Sequence, residues 1–180
     1  MRPVVRCAIP SRIVDTQSRQ TDRRSLLALR LAYYAEVIAA LAPLFGRGFP
    51  HFERGFPRLD PILTVIGLAL IVAGMALRVA AGRALGKWWS LRAEIQPGHA
   101  LVQTGPYRFV RHPAYLGMLI VCLGLPIAFQ SVWAAGVMAV AVWPAVGYRV
   151  QVEDALLERH FGDEYREYAQ RTPRLIPGLL

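Results

Sequence analysis

Apolar positions fall into four blocks separated by arginine-rich segments. Residues 26–45, LLALRLAYYAEVIAALAPLF, carry Arg30 near one end, where it can snorkel to an interface. They also carry Glu36 in mid-block, which is costly in lipid unless it faces protein or water. Residues 61–81 are long enough to cross a bilayer, and their one charge, Arg78, lies near the end. Gly67 and Gly74, seven apart, share a face suited to close helix contact. Residues 114–129 and 132–148 are each a little short for a perpendicular span and are joined by Gln130 and Ser131 alone, which predicts a tight helical hairpin.

The segments between the blocks orient them. The stretch to Ser25 holds six arginines, residues 82–112 hold five basic residues and residues 149–180 five, against three in 46–60 and none at 130–131. The positive-inside rule then predicts an all-α integral membrane protein of about four transmembrane helices, with both termini and the long middle loop cytoplasmic. The expected divisions are a basic tail (1–25), read as disordered, a transmembrane helix pair (26–81), a cytoplasmic loop (82–112), a transmembrane hairpin (113–148) and a C-terminal segment (149–180). The tail is broken by charge throughout and does not read as a signal peptide.

Composition agrees. Apolar residues make up 54% of 180, and only 18% are charged, an excess that points to lipid as solvent. The net charge of +9 raises nucleic acid as a partner, but the basic residues lie in blocks beside apolar runs, so membrane lipids are the expected partner and nucleic acid is not. Cys7 and Cys122 read as unpaired.

Within the middle loop, Trp88 and Trp89 fit an interfacial belt. LRAEI, a PG turn and HALV suggest a short hairpin or extended pair, TGPY is a turn, and Pro113 suits the first turn of the third helix. Beyond residue 148, apolar and aromatic residues at 152, 155, 156, 161, 165 and 168 predict an amphipathic helix interrupted at Gly162, followed by an extended apolar tail. No zinc spacing, P-loop, G-x-S-x-G or G-x-G-x-x-G occurs. The remaining chemistry lies in His99, Tyr107, Arg108, Arg111, His112 and Tyr115, and in Arg149, Glu153 and Asp154. Arg149 and Glu153 sit at i and i+4. Taken alone, a helix-surface ion pair with anchoring arginines accounts for them slightly better than a site does. YRFVRHPAY holds more donors and aromatics than an anchor needs.

HALVQTGPYRFVRHPAYLG followed by RVQVEDALLERHFGDEYREYAQRTPRLIP resembles the isoprenylcysteine carboxyl methyltransferase family, within the wider group of membrane phospholipid methyltransferases. The resemblance spans about residues 95–177. It implies S-adenosylmethionine as cofactor, held in the loop 82–112 and the C-terminal segment. The cofactor would be lined by His99, Ala100, Leu101, Val102, Tyr107, His112, Pro113, Ala114 and Tyr115, with Glu153 as the contacting acid. Arg149 matches an arginine that faces the methyl acceptor, which would be a lipophilic or lipid-linked carboxylate, thiol or amine. Asp154 stands where the family has a second glutamate, and no role is carried over to it. A further polar contact of the family falls near Arg92 and is not carried over. Two other readings remain: an NADPH-dependent membrane reductase of steroid-reductase type, and a non-catalytic membrane scaffold with the same fold.

Overall fold

The computed structural model describes residues 16–42, 60–90 and 98–176. Arg92 and the LRAEI half of the expected hairpin lie outside these residues, as does Cys7. Among those described, every regular element is helical.

Helix α1 runs Thr16–Leu41, ten residues ahead of the expected apolar block. The disordered-tail expectation therefore fails from Thr16 onward. Its buried positions, Ser25, Leu29, Ala32, Glu36 and Ala40, recur every three or four residues and form one stripe. Helix α2, Pro61–Leu85, starts with Pro61 in its first turn and with the Asp60 carboxylate accepting from the amides of Ile62 (2.8 Å) and Leu63 (3.2 Å). A 3-10 turn, Gly86–Trp88, ends it. Residues 99–103 have no regular structure, and a second 3-10 turn, Gly105–Arg108, is set by Pro106. Helix α3, Pro113–Ala128, begins at Pro113, as the spacing predicted.

Residues 129–131 turn the chain back, with the Ser131 hydroxyl accepting from the Ala134 amide at 3.2 Å. One rod, Val132–Phe161, follows, composed of α4 (Val132–Val137), a π turn (Met138–Val142) and α5 (Trp143–Phe161). Pro144 explains the π turn: it has no amide hydrogen for the ladder, and its ring crowds the preceding turn, so the helix widens there. Gly162, at φ 56°, breaks the rod where the sequence placed the interruption, and α6 occupies Asp163–Arg171.

The surface is greasier than much of the interior. Ile62, Val65, Leu68, Val72 and Met75 of α2 are exposed, whereas its buried residues are Gly67, Gly74 and Ala81. Leu31, Tyr34 and Ile38 of α1 likewise face outward, while Glu36 is fully buried against protein. Such an arrangement suits lipid rather than water. Pro61–Trp88 (28 residues) and Val132–Phe161 (30 residues) are long and apolar enough to cross a membrane; α3 is apolar but has 16 residues. The 30-residue rod is about 45 Å long at 1.5 Å per residue, against a hydrocarbon core of about 30 Å. It therefore exceeds such a core by about 15 Å, or about ten residues, so its charged end from about Val152 on projects beyond it.

Glycines fix the α2–α3 contact. A Cβ on Gly67 would sit 2.3 Å from the Ala128 nitrogen, and one on Gly74 2.5 Å from the Gly117 carbonyl. From the other side, Gly117 and Gly124 meet the carbonyls of Gly74 and Gly67 at 2.6 and 2.7 Å by the same measure. Two glycine pairs of equal spacing interlock, and the backbones approach as closely as the absence of side chains permits. Gly74→Ala or Gly117→Ala is expected to cost about 1–3 kcal/mol by overpacking and to lower the thermal unfolding midpoint in detergent. Gly147→Ala, where a Cβ meets nothing within 4 Å, should leave the midpoint unchanged or slightly higher.

Candidate active site

Where the rod leaves its apolar part, α1, the end of α2, the segment 98–112, the start of α3, α5 and α6 enclose one cavity. His99, Leu101, Val102, Tyr107, His112, Ala114, Tyr115 and Glu153 all line it. Ala100 is exposed and Pro113 is buried in the first turn of α3; neither is on the wall. Pro113 acts instead by starting the helix that carries Ala114 and Tyr115.

His112 and Glu153, 41 positions apart in the chain, are each held by a partner. The His112 Nε2 lies 2.6 Å from the Asp154 carboxylate, so that nitrogen carries the proton of the hydrogen bond. The Tyr115 hydroxyl donates to Glu153 at 2.8 Å and accepts from the Arg149 Nε at 3.1 Å. Arg149 is only 1% exposed, so the helix-surface ion pair is not what it forms. Its Nη1 donates to the Asp22 carboxylate, to the Ser25 hydroxyl at 2.9 Å and to the Asp22 carbonyl at 3.3 Å. Tyr115 thus joins the arginine to the acid, and α1 supplies the arginine's counter-charge.

Asp154 is the node of the region. It is 7% exposed and accepts from His112, from the Tyr165 hydroxyl and from the Arg174 Nε at 2.6 Å; the Arg111 Nη1 is 3.5 Å away. Burial alone would raise its pKa. The His112 hydrogen bond and charge, then the Tyr165 hydroxyl and the Arg111 charge, outweigh burial and hold it at about 2. These contacts bind the chain's end to the R-H-P segment. The amides of Arg111 and His112 donate to the carbonyls of Pro173 (2.9 Å) and Arg174 (3.1 Å), and the Arg111 Nε donates to the Thr172 carbonyl (2.9 Å). Leu175, 2% exposed, joins the core with Val146, Val150 and Met118. The apolar end is therefore a packed strap, at least to Ile176.

The aromatic wall is neutral. Burial raises the pKa of Tyr107, with the Glu153 and Tyr168 oxygens adding to it. Burial also brings Tyr168 up to about 12, and its hydroxyl donates to the Tyr107 carbonyl at 2.6 Å. These phenols are donors, not bases. His99 is lowered by burial and then by His160, which leaves it an uncharged ring. It stacks on Trp88 with 4.8 Å between centroids and 6° between planes, and Phe161 meets its edge at 5.8 Å. The Trp88 ring thus belongs to the cavity wall. The His99 Nδ1 is buried with no hydrogen-bond partner among the described residues.

Residues 65–159 match the model of the isoprenylcysteine carboxyl methyltransferase (ICMT) family. This chain belongs to that family. It is 36% identical over 99 residues to protein-S-isoprenylcysteine O-methyltransferase B of Arabidopsis thaliana, covering 55% of this chain and 49% of the relative. It is 34% identical over 79 residues to the protein-S-isoprenylcysteine O-methyltransferase of Schizosaccharomyces pombe, covering 44% and 34%. It is 37% identical over 95 residues to the nickel-cobalt-cadmium resistance protein NccN of Alcaligenes xylosoxydans xylosoxydans, covering 51% and 43%. The chain thus spans about half the length of the Arabidopsis relative and less of the others. Among solved structures, the eukaryotic intramembrane Ras methyltransferase ICMT superposes with a TM-score of 0.64 at 23% identity, over 93% of this chain and 55% of that one, a likeness of fold. ICMT membership leaves the steroid-reductase alternative without support.

Asp154 was the family position to which no role could be assigned from sequence, and Asp22 and Ser25 lay in the expected tail. The folded Asp154 value lies below the ordinary value of about 4. Its contribution is therefore complete above pH 4 and is lost as the pH falls toward 2; a shift of this size amounts to about 2 kcal/mol. Asp154→Asn is expected to flatten that acid limb in denaturation experiments. At pH 7 it should cost about 3 kcal/mol, because the buried His112 and the partly exposed Arg111 and Arg174 lose their shared counter-charge.

Proposed function

We propose that this ICMT-family protein is an integral membrane methyltransferase that uses S-adenosylmethionine and methylates a lipophilic acceptor of isoprenylcysteine type. The observation that carries this reading is the convergence of His112 and Glu153, each held by its own partner, on one aromatic cavity. The residues present fit the cofactor. Glu153 can meet its positive charge or its ribose hydroxyls, and the stacked rings of Trp88 and His99 offer an aromatic surface. The orphaned His99 Nδ1 is a polar atom that awaits a partner. When bound, S-adenosylmethionine supplies a methyl group on a sulfonium sulfur.

The chain's own part is placement and exclusion of water. Tyr115 keeps Glu153 oriented, and Asp154 keeps His112 oriented. Leu101, Val102 and Met118 make the wall apolar, which favours a step in which opposite charges are lost. A carboxylate or thiolate acceptor needs no general base, and Arg149 would orient it. An amine acceptor would require Glu153 or His112 as base, since Asp154 faces away from the cavity; the names of the relatives favour the carboxylate. We further propose four spans, with α1 and α3 joining the two long apolar rods, and with both termini and the cavity on the cytoplasmic side. The acceptor would then enter between helices and the cofactor from water.

Purified protein in detergent is expected to transfer labelled methyl groups to N-acetyl-S-farnesyl-cysteine. Glu153→Gln and His112→Ala should each raise the cofactor's Kd at least tenfold, with the thermal unfolding midpoint showing that the fold persists. Normal cofactor binding by both variants would sink the site. Binding without transfer to any lipophilic acceptor would favour the non-catalytic scaffold.

A further inference from the structure

Arg149 is 1% exposed, and it reaches Glu153 through the Tyr115 hydroxyl rather than by a direct ion pair. Asp22, from the opposite end of the chain, places its carboxylate on Nη1, and Ser25 adds its hydroxyl. One and two turns further along α1, Leu26 and Leu29 line the cavity itself. The Asp22 side chain keeps 13% of its surface accessible. A carboxylate therefore already sits on the arginine that would receive the acceptor; that arginine lies one hydrogen bond behind Tyr115 of the cavity wall, and the carboxylate is on a helix that forms part of the same wall. A buried arginine without a counter-charge is strongly unfavourable, and Asp22 supplies that charge. An acceptor carboxylate can supply the same compensation.

We propose that Asp22 is a stand-in for the acceptor's carboxylate. The first turns of α1 and the acceptor compete for Arg149, and an acidic acceptor binds by displacing Asp22. This rests on the methyltransferase reading above. The chemistry of the step is unchanged by the exchange: a carboxylate oxygen forms the new bond to the methyl carbon, the carbon–sulfur bond breaks, and its electron pair stays on sulfur as a neutral thioether. Asp22 sets which acceptors are admitted. Anions can replace it, whereas a neutral molecule leaves it in place and keeps Arg149 closed.

The test compares Asp22→Asn with the unaltered protein, using N-acetyl-S-farnesyl-cysteine and its methyl ester as probes and tryptophan fluorescence as the binding readout. The variant should bind the acid at least tenfold more tightly and the ester unchanged. In the unaltered protein, the acid but not the ester should speed hydrogen exchange at the amides around Asp22–Ser25, a measurement that holds even if the variant folds poorly. Unchanged or weakened acid binding by a folded variant, or acid-induced protection of those amides, overturns the proposal. If the unaltered protein binds S-adenosylmethionine and methylates the acid while these results fail, only the role of Asp22 falls. If it binds neither cofactor nor acid, the methyltransferase reading falls and takes this proposal with it.

Discussion

The carboxylate of Asp154 has to be buried among His112, Tyr165, Arg111 and Arg174, and the cavity depends on that arrangement. Four donors from three separate stretches converge on two oxygens. An anion removed from water is tolerated only when it is compensated this fully. The result is that R-H-P, the end of α5, α6 and the strap 172–176 form one body. Without the node, two cations and a histidine would be left facing one another, and nothing polar would orient the His112 ring.

A second constraint comes from the solvent. Apolar side chains on α1 and α2 are turned outward, so burying them cannot hold the bundle together as it would in water. Close backbone packing takes over. Gly67, Gly74, Gly117 and Gly124 bring α2 and α3 together, and α3 in turn presents Ala114, Tyr115 and Met118 to the cavity. The glycine contacts therefore act on the site at a distance, by setting where the first turn of α3 stands.

Polar groups form two chains that meet at the cavity. One runs from Asp22 through Arg149 and Tyr115 to Glu153; the other runs from Arg174 and Tyr165 through Asp154 to His112. Neighbouring residues of α5, Glu153 and Asp154, serve the two chains separately, since consecutive helix positions point about 100° apart. One acid faces the cavity and the other faces the strap. This also explains why an aspartate suffices at 154, where its donors come to it.

Local features were legible from the chain alone, because short-range physics writes them there. Blocks of apolar residues, Pro113 at a helix start, Gly162 at a break and the seven-residue glycine spacing each depend on neighbours a few positions away. The His112 and Glu153 motifs were legible through family likeness. The extended reading of the C-terminal end missed its packing, and the tail reading missed the start of α1, because charge density said nothing of a buried partner. What only the tertiary structure decided is which charges meet. Asp22 and Arg149 lie 127 positions apart, and His112 and Asp154 lie 42 apart. A single ionised pair has no periodicity and no composition signal. Its partner is chosen when helices pack and the cost of an uncompensated charge in a dry interior selects one arrangement from many.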